Sequence, residues 1–225
     1  MIGVLAMATG LVPRTIEFSG HTWSVKGGPQ LMGPGPNRWS DAPESVWVGE
    51  DGALHMKIRR EGDHWVCSEV YLSRSLGYGE YRFDVRSPSA AVPPNAVLGL
   101  FTWSNTDEEA HREIDVEVTR WGDRNAANGQ FVVQPYDKPG HMVRFEIDES
   151  QGGVMHRFTW KPDRVDFLTR LASGRHVAEW TFPGPIFAPK DEAVHINLWL
   201  YEGKPPSTGK EVEVVIEKFT FTPHR

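Results

Sequence analysis

No stretch of this 225-residue chain keeps apolar residues at i, i+3, i+4, i+7 for the three turns or so that a stable helix needs. Alternation recurs instead. The runs Ala53–Ile58, Tyr81–Val85, Gln130–Gln134, His156–Trp160, Val165–Leu168, Val194–Leu200 and Glu211–Phe221 change character at every second residue or nearly so. That is the period at which a strand turns one face to a core. Between many of them stand breaks such as Gly27-Gly28-Pro29, Gly33-Pro34-Gly35-Pro36, Pro93-Pro94, Gly152-Gly153, Pro183-Gly184-Pro185 and Pro205-Pro206, and most of the 22 glycines and 17 prolines fall in such breaks. Many short strands with turn signals at this spacing predict an all-β sandwich or jelly roll of roughly twelve to fifteen strands. No composition shift, repeat or linker divides the chain, so one domain is expected over 15–225. Residues 1–14 are apolar, too short to span a bilayer and without the positive start of a secretion signal, and are read as a disordered leader or tag-like segment.

Hydrophobic residues make up 39% and charged residues 24% of the chain, which places it among soluble globular proteins. The net charge is −6 and no Lys/Arg cluster forms a phosphate-binding track, so nucleic acid is excluded as a partner, as is a membrane. An acidic surface suits a neutral ligand better than a polyanion. Cys67 is the single cysteine and reads as a buried, inert thiol.

Glu113-Ile114-Asp115-Val116-Glu117 carries the chemistry. On a strand its three acids project from one face, while Ile114, Val116 and Val118 project from the other. Such alternation is also what any half-solvated strand shows. Yet three acids in a row repel, and crowding raises at least one pKa. A glycosidase needs that, since one carboxyl must be ionised and another protonated at the same sugar bond. Nine Trp, eleven Phe and five Tyr supply rings that stack on sugar faces, although large aromatics also fill sandwich cores. Trp39, in the polar loop Pro36–Ser40, reads as exposed at a ligand site. Signals for a serine-hydrolase elbow, zinc or a dinucleotide loop are missing.

Several further blocks occur in order: Ser68-Glu69-Val70, Gly77-Tyr78-Gly79-Glu80-Tyr81, Val97–Trp103, His156–Pro162, Ile196-Asn197-Leu198-Trp199 and Ile216–Thr220. Together with Glu113–Glu117 they resemble glycoside hydrolase family 16, the family of lichenases, laminarinases and xyloglucan transferases, over nearly the whole chain after residue 14. The resemblance implies a concanavalin A-like β-jelly-roll sandwich of two antiparallel sheets, one of them forming an open cleft for a polysaccharide. It implies Glu113 as nucleophile, Glu117 as acid/base and Asp115 as the residue that tunes the nucleophile. The reaction implied is retaining, endo-acting cleavage of β-glucan (β-1,3-1,4 or β-1,3 linkages) by double displacement. Asn37, Trp39, Glu69, Gln130, Gln134, Asn197, Trp199 and Tyr201 become candidate substrate contacts. His111 stands where relatives often carry an aromatic, which leaves the sugar contact there open. The absence of an extra residue between Asp115 and Glu117 resembles the lichenase and xyloglucan-transferase branch. No cofactor is implied beyond a structural calcium, with Gly52 and Glu217 near the matching places. A monomer, secreted or extracytoplasmic, is expected. Transglycosylation, glycan binding without turnover, and calcium held by the acid trio are the alternatives.

Overall fold

The computed structural model describes residues 13–86, 92–106, 108–148, 150 and 152–224. Its described residues form two large antiparallel sheets packed face to face, a jelly-roll sandwich. The strands are numbered along the chain. The front sheet runs β1 (Thr15–Phe18), β2 (His21–Val25), β8 (Ser68–Tyr71), β17 (Ala193–Leu200), β10 (Ala96–Trp103), β11 (Ile114–Val118), β12 (Gly129–Val133), β13 (Met142–Phe145). The back sheet runs β16 (His176–Phe182), β15 (Arg164–Leu171), β14 (Val154–Lys161), β9 (Gly79–Arg86), β18 (Val212–Pro223), β6 (Leu54–Glu61), β5 (Val46–Val48), with β7 (His64–Val66) paired to β6. A separate ribbon pairs β3 (Gly28–Met32) with β4 (Asn37–Trp39).

The alternating runs become β6, β9, β12, β14, β15, β17 and β18. Eighteen strands are present among the described residues, more than the sequence predicts. The additional strands include β3, β4, β5 and β7, of three to five residues, too short to show a period.

Between the sheets lies one core. Ile114, Val116 and Val118 bury against it from the front, and Phe83, Phe158, Phe167 and Phe219 from the back. Ring pairs staple the layers: Phe131 meets Phe167 at 5.0 Å and Trp23 meets Phe219 edge-on at 5.4 Å. Trp160 and Phe219 are core residues, whereas Trp103 is only half-buried.

Three expectations need correction. Arg14, assigned to the leader, belongs to the fold: its guanidinium donates to the carbonyls of Asp41 and Val46, both at 2.8 Å. Pro13 is also described, and leader residues 1–12 lie outside the described residues. Glu217 and Gly52 do not fit a calcium ion. Arg86 donates to Glu217 at 3.0 Å and to Asp51 at 2.9 Å, so its guanidinium already balances the carboxylates there. Gly52 closes a tight turn at φ +78, its N–H donating to the Gly49 carbonyl. Among the described residues no group of three or more His, Cys, Asp or Glu is arranged to hold a metal ion, and no helix is long and apolar enough to cross a membrane. Finally, Asn37 and Trp39 are not surface residues. Asn37 is 4% exposed and Trp39 2%.

Phe131 touches both Phe145 and Phe167 and is fully buried, so its loss opens a void that rigid sheets cannot close. Phe131→Ala is expected to lower unfolding free energy by about 3–5 kcal/mol in urea denaturation, without altering the slope.

Candidate active site

β11 sits near the middle of the front sheet, and its apolar side chains hold its register against the core. A slip of one residue would bury the acids and expose Ile114 and Val116, so burial specifies which face the acids take. Asp115 is 3% exposed, and Glu113 and Glu117 are half-buried. All three line a trough of about 720 Å³ on the outer face of the front sheet. Cross-strand pairing sets the ranks of its floor. Glu69, Asn197, Gly99, Glu117, Gln130 and Arg144 lie side by side across six strands. One rank along, Tyr71, His195, Phe101, Asp115 and Val132 do the same.

Glu113 precedes β11 and is placed by an unusual turn. Glu109, Ala110, His111 and Arg112 all have positive φ, between 49° and 59°. Each such residue costs roughly 1–2 kcal/mol. The turn persists because its neighbours over-determine it. Thr102 Oγ1 donates to the Arg112 carbonyl at 2.8 Å and accepts from the Ile114 N–H at 3.1 Å, which bridges both ends of Glu113 to β10. The Ser104 N–H donates to the His111 carbonyl, and His111 Nδ1 donates to the Ser104 carbonyl at 3.0 Å. Buried Arg112 donates to the Ala188 carbonyl and reaches Glu108 and Asp191. His111 stacks on Trp103 at 3.9 Å, and it is Trp103 that lines the trough.

Two glutamines orient the acids. A carboxamide can present either its oxygen or its NH2, and a donor-only partner decides which. The Tyr136 N–H donates to Gln134 Oε1 at 2.9 Å, so Gln134 Nε2 faces Asp115 Oδ2, at 3.0 Å. The Trp121 indole N–H donates to Gln130 Oε1 at 3.0 Å, so Gln130 Nε2 faces Glu117 Oε2, at 2.6 Å. Asp115 in turn donates a hydrogen bond to Glu113.

Burial raises all three carboxyls. Glu113 is pushed up to about 8 by desolvation and then by Glu117, the bond from Asp115 opposing. Asp115 is raised well above the ordinary value by desolvation and by both glutamates. Glu117 is raised to about 7 by desolvation, against the Gln130 bond and the Arg144 charge. At neutral pH the trio therefore holds at least one proton and shares it, the condition for acid and nucleophile to coexist.

Asn197 is 2% exposed and lies over Gly99, and its Oδ1 has no partner among the described residues. A Cβ at Gly99 would meet that oxygen at 2.4 Å. Trp199 lines the trough and packs on Trp121 at 5.9 Å. Tyr201 packs edge-on to Trp121 at 5.3 Å, outside the trough lining. Glu69 lines the trough but is already engaged: Lys26 Nζ and His195 Nδ1 each stand 2.9 Å from its carboxylate. Asn37 and Trp39, expected as substrate contacts, are not among the residues that line the trough. Asn37 Nδ2 donates to the carbonyls of Pro34 and Leu200, both at 2.9 Å, and its Oδ1 accepts from Cys67 Sγ. Trp39 donates to the Met32 carbonyl and lies beneath Lys26 Nζ, 4.0 Å from the ring centre. Both tie down the β3–β4 ribbon, and Met32, Gly33 and Pro34 of that ribbon line the trough in their place. Cys67 is buried as expected, its thiol pushed up to about 12 by burial. Sequence reasoning overlooked Trp121, Lys26 and His195, whose partners lie 9, 43 and 126 positions away.

A carboxyl whose folded pKa is raised favours folding in its protonated form, and that contribution is lost as pH climbs from the ordinary 4.5 towards 7 and 8. Glu117→Gln removes the titration. The variant is expected to gain melting temperature over the parent between pH 5 and pH 9, with most of the gain above pH 6; thermal scans across that range check it.

No family model matches the chain, and no curated protein matches it. Solved structures do. A β-glucanase of Bacillus licheniformis is 18% identical, with TM-score 0.67 over 90% of this chain and 92% of its own. A β-1,3-1,4-glucanase (lichenase) from a mouse hindgut metagenome is 18% identical, with TM-score 0.66 over 90% and 93%. An immunostimulatory antigen and pseudo β-1,3-glucanase of Mycobacterium tuberculosis is 20% identical, with TM-score 0.67 over 90% and 91%. What the chain shares with these proteins is the fold.

Proposed function

We propose that the protein is a retaining glycoside hydrolase of the family 16 type that cleaves β-glucan chains internally, at β-1,3-1,4 or β-1,3 linkages. The observation that carries this reading is the acid trio in the trough, crowded enough to retain a proton and held by two glutamines of defined orientation. A purely structural strand has no use for three crowded acids, one of them buried and two half-buried. Nor does a cation suit the trio, since an amide NH2 already faces Asp115 and another faces Glu117.

In this reading Glu117 carries the proton to the departing glycosidic oxygen. Glu113, although raised further than Glu117, is ionised in the reactive form, a charge that the bond from Asp115 favours; it attacks the anomeric carbon and forms a glycosyl ester. Glu117, now ionised, takes a proton from water, whose oxygen displaces Glu113 and restores the original configuration. Trp103, Phe101 and Trp199 line the trough and are the aromatic candidates for contact with the chain. A polymeric substrate places the protein in an extracytoplasmic setting. The pseudo-glucanase among the structural neighbours favours a second reading, glycan binding without turnover.

Incubation with mixed-linkage and β-1,3-glucans is expected to release new reducing ends, with loss of about 10²–10⁴-fold or more in Glu113→Gln and Glu117→Gln. Proton NMR of the first-formed product is expected to show the β anomer. Longer products on adding acceptor oligosaccharide mark transfer, and binding with no products from the parent protein marks the second reading. The pH profile of kcat/KM is expected to be bell-shaped with both limbs above the ordinary carboxylate value of 4.5, because burial and repulsion raise the trio.

A further inference from the structure

A fourth carboxylate lies in the trough, and it cannot meet a sugar freely. Glu69 is 4% exposed, and both of its oxygens are taken: Oε2 by Lys26 Nζ and Oε1 by His195 Nδ1, each at 2.9 Å. Lys26 is itself anchored, donating to the Gly33 carbonyl at 2.8 Å while its ammonium lies over Trp39. The imidazole is held on its faces too. Tyr71 stacks on it at 5.2 Å and 14°, and Phe101 packs at 5.1 Å and 32°. A histidine clamped by one carboxylate and two rings has no rotamer freedom left, and its second nitrogen, Nε2, has no partner among the described residues. His195 lines the trough, in the rank of Phe101 and Asp115. Two strand spacings separate it from Asp115, roughly 10 Å at the backbone.

We propose that His195 Nε2 is a sugar-hydroxyl contact in the trough, on the unit bound beyond the one being cleaved, with Glu69 and Lys26 acting as positioning residues behind it. This rests on the glycosidase reading of the same trough. The chemistry of the pair dictates the ligand group. An ionised Glu69 only accepts, so Nδ1 carries the hydrogen of that bond. Burial alone would raise Glu69; the His195 bond and the Lys26 charge reverse that and hold it below the ordinary carboxylate value. With Nδ1 protonated, Nε2 accepts from a hydroxyl when the ring is neutral and donates to the hydroxyl oxygen when the ring is charged. A hydroxyl satisfies both states. A carboxylate-bearing or ether-capped sugar would satisfy one at most, so the contact selects an unsubstituted sugar at that unit.

The test uses the full-length chain carrying Glu117→Gln, so that ligand is bound and not consumed. Calorimetry compares laminaritetraose and a mixed-linkage β-glucan tetrasaccharide with their monodeoxy derivatives. One monodeoxy derivative is expected to bind about threefold to tenfold more weakly than its parent, the worth of a neutral hydrogen bond. That penalty is expected to vanish when His195→Phe is added, because the cycle removes the same bond from both sides. His195→Gln, which keeps a polar atom near the Nε2 position, is expected to retain part of it. Thermal melts establish that each variant is folded, and His195→Gln carries the comparison alone if His195→Phe does not fold. An undiminished penalty in the folded variants overturns the contact while leaving the glycosidase reading intact, as does a series in which no deoxy position costs affinity. Failure of every parent tetrasaccharide to bind overturns both.

Discussion

The burial of Ile114, Val116 and Val118 is the constraint on which the site depends. These residues have a single place to go, the space between the sheets, and by taking it they fix the parity of β11. The acids are then forced to the other face whether or not charge favours their company. Apolar burial of this kind is worth about 1.5–3 kcal/mol per side chain, enough to hold like charges together on the opposite side. The cost appears as raised pKa values and not as a distorted strand.

Around that strand the protein controls protons through donor-only groups. An indole N–H and a backbone N–H each choose the orientation of an amide, and each amide then faces an acid. The arrangement is asymmetric in a useful way. Glu113 receives its bond from an acid that must stay protonated to give it, while Glu117 receives one from an amide that has no proton to lose. The strained turn before Glu113 belongs to the same logic. Thr102 ties the residues on both sides of Glu113 to the neighbouring strand, so the side chain that must meet an anomeric carbon is not left on a loose loop.

Much of the fold could be read from alternation, because β6, β9, β14 and the first part of β18 bury every second residue. The acid trio was legible for the same reason. Asn37 and Trp39 misled because a polar, proline-rich neighbourhood reads as solvent, whereas the β3–β4 ribbon folds back so that Asn37 reaches the Leu200 carbonyl, 163 positions away. His195 sits in an ordinary-looking strand run. Its meaning comes from a diagonal bond to Glu69 across β8 and β17, where Tyr71 is its register partner and Asn197 that of Glu69, an arrangement that no local window contains.

Gly99 lies beneath Asn197 with no space for even a methyl group. A side chain at 99 would have to displace the Asn197 amide, so a change there is felt across the strand pair. The two positions are thereby coupled in the floor beside Glu117, and any residue larger than glycine at 99 asks for a new side-chain placement at 197.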